Sequence, residues 1–174
     1  MAGNEITAEG LIAELFRHNT WANVTLLTAC EGLSAEQLDA TLRGTFGSVR
    51  DTLLHIVGSE VSYVERVTGA LPGEPHKEGE MPGIETLKND VRWAGEELLK
   101  LALNAGPEEM VTQLRHGRKR FYKLTGLLTQ AINHSTEHRS HVATILTQQG
   151  IKPPDMSGWT YMAQTGQLEE TSPE

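Results

Sequence analysis

Apolar side chains recur every three or four residues in four long stretches of the chain, and this spacing predicts four amphipathic α-helices. The predicted helices cover approximately residues 6–31, 49–68, 84–104 and 125–149. The apolar stripe of the first comprises Leu11, Leu15, Ala22, Leu26 and Cys30. Ser48 before the second stretch and Gly69 after it are residues that commonly cap helices. Four such helices indicate an all-α fold, a four-helix bundle.

The segments between the helices determine how the bundle is connected. Residues 34–38 have the sequence of one capped helical turn. Residues 70–83 and 106–124 form connections longer than helical hairpins need, so they permit long crossovers. Within the second connection, two short runs fit either a small β-hairpin or an irregular crossover.

The end of the chain carries weaker signals. After Ser157 we expect an irregular tail in which Trp159 and Tyr161 pack back onto the helices. Residues 166–174 are expected to fray. The length fits one domain, and we expect residues 1–174 to form it.

The composition narrows the classes of function. A net charge of -8 argues against a broad nucleic-acid surface. No apolar run approaches about 20 residues, and the first ten residues lack the regions of a signal peptide. We therefore expect no membrane partner and a cytoplasmic location. The single cysteine, Cys30, excludes an internal disulfide, and its place on the apolar stripe indicates core packing.

Three histidines stand at spacings of four and three on the fourth predicted helix. His134, His138 and His141 share one face, at the edge of the apolar stripe. Alone, this pattern fits a metal site and a histidine-rich polar face equally well. His55, on the second predicted helix, lies off the apolar stripe and could join His134 and His138. Three neutral imidazoles leave coordination positions open, as is typical of catalytic metal sites.

Charged and amide side chains also fall on apolar stripes. Buried charges need partners, so we predict that Glu60 and Arg139 pair, or that each contacts a residue beside the metal ligands. Structural pairing is the favoured interpretation; the alternative is that Glu60 orients a ligand histidine. Asn19 and Asn23 lie on the first stripe, where buried hydrogen-bonded amides are favoured over contacts to a substrate.

Four segments of the chain carry a family resemblance. They are FRHNTWANVTLL (16–27), SVRDTLLHIVGSE (48–60), NHSTEHRSHV (133–142) and GIKPPD (150–155). Together they give one histidine in the second helix and the pattern H-x3-H-R in the fourth. In these features the chain resembles the DinB-like (DinB/YfiT) family of metal-binding bacterial damage-inducible proteins. The resemblance covers nearly the whole chain.

The resemblance implies properties that the residues alone do not. It implies a four-helix bundle with up-down-down-up connections, often homodimeric. It implies a divalent metal, usually zinc or nickel, held by His55, His134 and His138. Many relatives have glutamine at the position of His141, so this residue could be a fourth ligand, a water-holding residue or an exposed neighbour. Characterised relatives include thiol S-transferases that use bacillithiol and isomerases that depend on mycothiol.

Three hypotheses of different classes follow. The first is a metal-dependent enzyme acting on small molecules, either a thiol S-transferase in which a metal-activated thiolate attacks an electrophile or a metal-hydroxide hydrolase. The second is a non-catalytic metal- and ligand-binding dimer, a stress-related sensor or carrier. It is favoured by the lack of an obvious general base, because Asp51, Glu60 and Glu137 are not clearly aimed at the site. The third is a structural bundle with incidental histidines.

Overall fold

The computed structural model describes residues 7–74, 81–115 and 117–171. The elements are α1 (Ala8–Ala29), α2 (Ala35–Asp39), α3 (Val49–Thr68), α4 (Ile84–Asn104), β1 (Met110–Arg115), β2 (Arg118–Lys123), α5 (Leu124–Gln148) and α6 (Gly158–Gln164). The predicted all-α class is confirmed, and α3 and α4 have the expected bounds. None of the helices in these ranges is both long enough and apolar enough to cross a membrane.

Capping residues explain where α3 begins and ends. The Ser48 hydroxyl accepts a hydrogen bond from the backbone amide of Asp51 at 3.0 Å. The Asp51 carboxylate in turn accepts one from the backbone amide of Ser48 at 3.3 Å, which completes a reciprocal capping box. At the other end, Gly69 adopts the left-handed conformation (φ 74°) that favours glycine. The caps thus fix both ends of the helix that carries the first candidate ligand.

Buried apolar side chains form two clusters, one toward each end of the long helices. The first contains Leu26, Leu27, Cys30, Val49, Leu53, Ile56, Val57, Leu87, Val91, Val142, Ile145 and Leu146. The second contains Phe16, Tyr63, Val64, Ala94, Leu98, Val111, Leu124, Leu127, Leu128 and Ala131. Along the chain, α1 and α5 run from the second cluster to the first, whereas α3 and α4 run from the first to the second. The order of the long helices is therefore up, down, down, up.

A polar layer separates these two clusters. Its five buried members are Asn19 and Asn23 of α1, Glu60 of α3, and Ser135 and Arg139 of α5. Glu60 Oε1 accepts hydrogen bonds from the side-chain amides of both asparagines, at 2.7 and 2.8 Å, and from Ser135 Oγ at 2.7 Å. Arg139 Nη1 donates to the side-chain oxygens of the same asparagines at 2.8 and 2.6 Å. Three helices therefore meet in one hydrogen-bond network.

The two buried charges are joined through amides. Asn19 and Asn23 each bind the carboxylate of Glu60 with their nitrogen and the guanidinium of Arg139 with their oxygen. Burial raises the pKa of Glu60 and lowers the pKa of Arg139 to about 10, while the charge of each group opposes the shift of the other. The interpretation of the two asparagines as buried hydrogen-bonded amides is confirmed.

The stripe predicted for the first helix is wrong in its first half. Leu11 and Leu15 were expected in the core, but they are 57% and 47% exposed. The buried face of α1 instead includes Ala13, Phe16 and Asn19. Phe16 lies about 100° around the helix from Leu15. Leu15 and Phe16 are both large and apolar, so spacing alone could not decide which of these neighbours faces the core. The expected burial of Cys30 is confirmed.

The tail is helical where an irregular segment was expected. Ser157 Oγ accepts a hydrogen bond from the backbone amide of Thr160 at 3.3 Å and caps α6. Tyr161 packs back as predicted: it is buried, and its hydroxyl donates to Glu14 of α1 at 2.9 Å. Trp159 does not pack back in this way and remains 70% exposed. Residues 172–174, part of the predicted frayed end, lie outside the described residues.

The connection between α4 and α5 contains a β-hairpin, one of the two alternatives left open by the sequence. Strands β1 and β2 pair antiparallel, with Met110 opposite Lys123 and Val111 opposite Tyr122. Val111 is buried in the second apolar cluster. The hairpin therefore covers the end of the bundle at which α5 begins.

Gly95 permits a close approach of α4 to α1. A Cβ atom at this position would lie 2.0 Å from Thr20 Oγ1 and 2.9 Å from Thr20 Cγ2. The Thr20 hydroxyl donates to the carbonyl of Phe16 at 3.1 Å, which holds its side chain in place. A larger residue at position 95 must therefore displace Thr20 or separate the helices.

We expect Gly95→Ala to lower the free energy of unfolding by about 1–3 kcal/mol through overpacking. This loss should exceed the gain of about 1 kcal/mol that alanine gives over glycine inside a helix. Gly58→Ala on α3 is the control, because no atom lies within 4 Å of a Cβ at that position. Urea unfolding of both variants measures the difference, and equal stabilisation of both would contradict the close approach.

We expect Arg139→Met to lower the free energy of unfolding by about 3–5 kcal/mol at neutral pH. The substitution leaves Glu60 as a buried charge without its cation, and it removes the donor to two asparagine oxygens. Denaturant unfolding measures the loss. Lys100→Met is the control: Lys100 pairs with Glu97 at 2.6 Å on the surface of α4, and its loss should leave the unfolding midpoint unchanged.

A double variant isolates the charge. Adding Glu60→Gln to Arg139→Met removes the unpaired carboxylate, so we expect part of the lost stability to return. A double variant no more stable than Arg139→Met would show that the buried charge is not the cause of the loss.

Candidate metal centre

Three histidines converge between α3 and α5. His55 projects from α3, and His134 and His138 project from successive turns of α5. One ring nitrogen of each lies within 4.8 Å of those of the other two. The Nε2 atoms of His55 and His134 are 2.9 Å apart. Within the described ranges, no other set of three histidine, cysteine or carboxylate side chains comes this close together.

Burial keeps the three imidazoles uncharged at neutral pH. Desolvation, together with the neighbouring rings of His138 and His55, lowers the pKa of His134 to about 4. Desolvation also lowers the pKa values of His55 and His138. Only a neutral imidazole offers a lone pair to a metal ion. The cluster is therefore in its metal-binding protonation state without having to release protons.

Two aromatic rings flank the cluster. Phe46, in the connection between α2 and α3, stacks on His55 with ring centroids 4.0 Å apart. Tyr63, on α3, meets the ring of His134 edge to face at 6.0 Å. The sequence did not identify either ring. Phe46 stands in a loop without periodicity, and the neighbour of Tyr63 depends on how α3 and α5 pack.

His141 lies beside His138 and outside the group of three. The Nδ1 atoms of these two residues are 3.3 Å apart. When Nε2 of a histidine binds a metal, its ring proton is on Nδ1, where a hydrogen-bond acceptor can fix the ring orientation. Nδ1 of His141 is placed to accept from Nδ1 of His138. His141 therefore contacts His138 without joining the group of three, and its role as a fourth ligand, a water-holding residue or an exposed neighbour stays a prediction.

Each candidate ligand on α5 is followed by a member of the polar layer. Ser135 follows His134, and Arg139 follows His138. Through its bond to Ser135, Glu60 holds the turn of α5 that carries His134. The hydrogen bonds described for Glu60 go to the two asparagines and to Ser135. They do not support the alternative in which Glu60 itself orients a histidine.

The donor set suits a divalent transition metal. Imidazole nitrogens bind zinc, nickel, copper and iron better than they bind calcium or magnesium. The carboxylate of Asp51 is engaged in the cap of α3. Glu137 is exposed on α5 and acts on His138 only through its charge, which opposes the lowering of that pKa. Three protein ligands leave coordination positions for water or another small molecule.

Similarity to known proteins indicates the family to which this chain belongs. A curated relative, "Protein DinB" of Bacillus subtilis (strain 168), is 23% identical over 163 residues. The match spans 87% of this chain and 95% of that protein. The family model described as "DinB family" matches residues 4–171. Because that match covers almost the entire sequence, the chain belongs to the DinB family.

Proposed function

We propose that this chain is a divalent-metal-dependent enzyme acting on small molecules, and specifically a thiol S-transferase. The observation that carries the proposal is the convergence of three neutral imidazoles from two helices. His55, His134 and His138 would hold the metal, for which we propose zinc or nickel. When bound, such a metal supplies acidity to a coordinated thiol or water, so that a thiolate or hydroxide exists at neutral pH.

The surrounding residues support a mechanism in which the metal itself acidifies the nucleophile and no side-chain base is needed. Asp51 and Glu60 are engaged in structural hydrogen bonds, and Glu137 is exposed. None of the described carboxylates named from the sequence is therefore placed as a general base. The imidazoles add no negative charge, so they leave the positive charge of a bound ion undiminished. The flanking rings of Phe46 and Tyr63 keep part of the surroundings apolar.

The same observations bear on two other activities. Hydrolysis by a metal-bound hydroxide is a close variant, because it needs the same ligands and no side-chain base. A non-catalytic sensor or carrier is the alternative of a different class. The lack of a positioned base also favours the sensor or carrier. A measurement of substrate turnover is therefore needed to distinguish it from the two enzymes.

The proposal also covers the location, the biological role and the oligomeric state of the protein. We propose a single domain that acts in the cytoplasm, in a stress response, as a homodimer. The exposed apolar side chains of Leu11 and Leu15 on α1 offer a surface for such pairing.

Protein purified without an affinity tag should contain about one zinc or nickel ion per chain, as a three-histidine site requires. We expect His138→Ala to lose it, because two imidazoles hold a metal far more weakly than three. Elemental analysis of both proteins measures the content. His18→Ala is the control, because Nε2 of His18 faces the carbonyl of Met156 at 3.0 Å, away from the cluster. Wild-type protein that neither contains nor takes up metal would contradict the proposal.

Metal-loaded wild-type protein should consume an electrophile, such as an epoxide or alkyl halide, only when a low-molecular-weight thiol is present. We expect no such consumption by His55→Ala, because the thiol would no longer be acidified. Mass spectrometry of the thioether product measures the reaction. Activity that survives in His55→Ala would exclude this mechanism. Metal binding without turnover of any thiol or hydrolysable substrate would favour the sensor or carrier.

A further inference from the structure

Phe46 is a half-exposed aromatic residue in contact with the histidine cluster. Its ring is 49% exposed, yet it stacks on His55 with centroids 4.0 Å apart and planes 13° apart. It also meets His138 edge to face, at 4.9 Å and 74°. Phe46 therefore touches one candidate ligand on each of the two helices, α3 and α5.

The loop that carries Phe46 is held in place. Thr41 and Ser48, on either side of it, form an antiparallel bridge. The hydroxyl of Thr45, the preceding residue, donates to the carbonyl of Leu42 at 2.7 Å. A loop closed in this way has little freedom to move its central side chain. The backbone on both sides of Phe46 is therefore anchored, and the ring itself rests on His55.

Stacking on an imidazole restricts the directions in which its ring nitrogens can bind a metal. The lone pair of a ring nitrogen lies in the plane of the ring, so fixing the plane fixes the direction in which the nitrogen can bind. The nearly parallel ring of Phe46 fixes the plane of His55, whose Nε2 then points to Nε2 of His134, 2.9 Å away. His55 is only partly buried, so without this contact its ring gains rotational freedom that metal binding must remove.

We propose that Phe46 is a positioning residue of the metal site. Its ring aims the nitrogens of His55 and His138 before the ion arrives, and it shields that side of the cluster from water. This inference rests on the proposed metal site and adds to it a residue from a loop that supplies no ligand. Phe46 lies outside the polar layer, so its effect on metal binding can be separated from the effect of Glu60 and Arg139 on stability.

The test is titration of metal-free protein with Co²⁺, in competition with a chromophoric chelator. We expect Phe46→Ala to bind about tenfold more weakly, the usual effect of losing a residue that orients a ligand. Its visible absorption bands should also change, because they report coordination geometry. Phe46→Tyr keeps the stacking ring and should restore affinity and spectrum. Phe46→Leu keeps apolar bulk without a flat ring and should remain weak.

Controls separate positioning from general stability. Phe121→Ala removes a more exposed phenylalanine on β2 and should match the wild type in both measurements. The metal-free melting temperature of Phe46→Ala should also match the wild type, because the ring is half exposed. If Phe46→Ala has a lower melting temperature than the wild type, Phe46→Leu becomes the deciding variant. Weak Co²⁺ binding by Phe46→Leu together with a wild-type melting temperature supports the positioning role.

The outcomes distinguish this inference from the proposed function. Wild-type affinity and spectrum in Phe46→Ala or Phe46→Leu would overturn the role of Phe46 and leave the metal site standing. No Co²⁺ binding by the wild-type protein would overturn both. Failure of Phe46→Tyr to restore binding would show that the flat ring is not what matters, and would also overturn the inference.

Discussion

Glu60 carries a carboxylate into the middle of the helix bundle, where water does not reach it. A charge in that position is costly unless it is paired and hydrogen-bonded. Three donors from two other helices meet its Oε1 atom, and the cation of Arg139 is linked to it through Asn19 and Asn23. These bonds form only at one axial alignment of α1, α3 and α5. The network therefore selects a register that the surrounding apolar side chains could not specify as sharply.

The same register aligns the candidate metal ligands. On α5, His134 and His138 each stand immediately before a residue of the polar layer, so they point about 100° away from it around the helix. When Ser135 and Arg139 bind within the inner network, the two histidines are presented together toward the groove beside α3. His55 lies five residues before Glu60 on that helix. One buried network thus sets both the packing of the helices and the convergence of the imidazoles.

The sequence predicted the features that depend on local spacing. It gave the four long helices, the caps of α3, the burial of Glu60 and Arg139, and the three histidines that the structure brings together. It failed on α1, where Leu15 and Phe16 are neighbouring large apolar residues and only Phe16 enters the core, and at α6, where a short capped segment becomes helical. Phe46 could not be predicted, because its contact to His138 links a loop to a helix about 90 residues later. Such contacts depend on topology, which periodicity does not encode.

The protonation of the cluster links its structure to its chemistry. An exposed histidine in the unfolded chain binds a proton near pH 6.5, whereas the pKa of His134 in the fold is about 4. Between these values the unfolded state binds more protons, so the fold loses stability as the pH falls. Holding three imidazoles together in neutral form therefore costs stability in acid. A bound metal ion would offset that cost, because it binds the neutral form and competes with protons. A metal centre requires imidazoles that are neutral and close together, and this cluster meets both conditions.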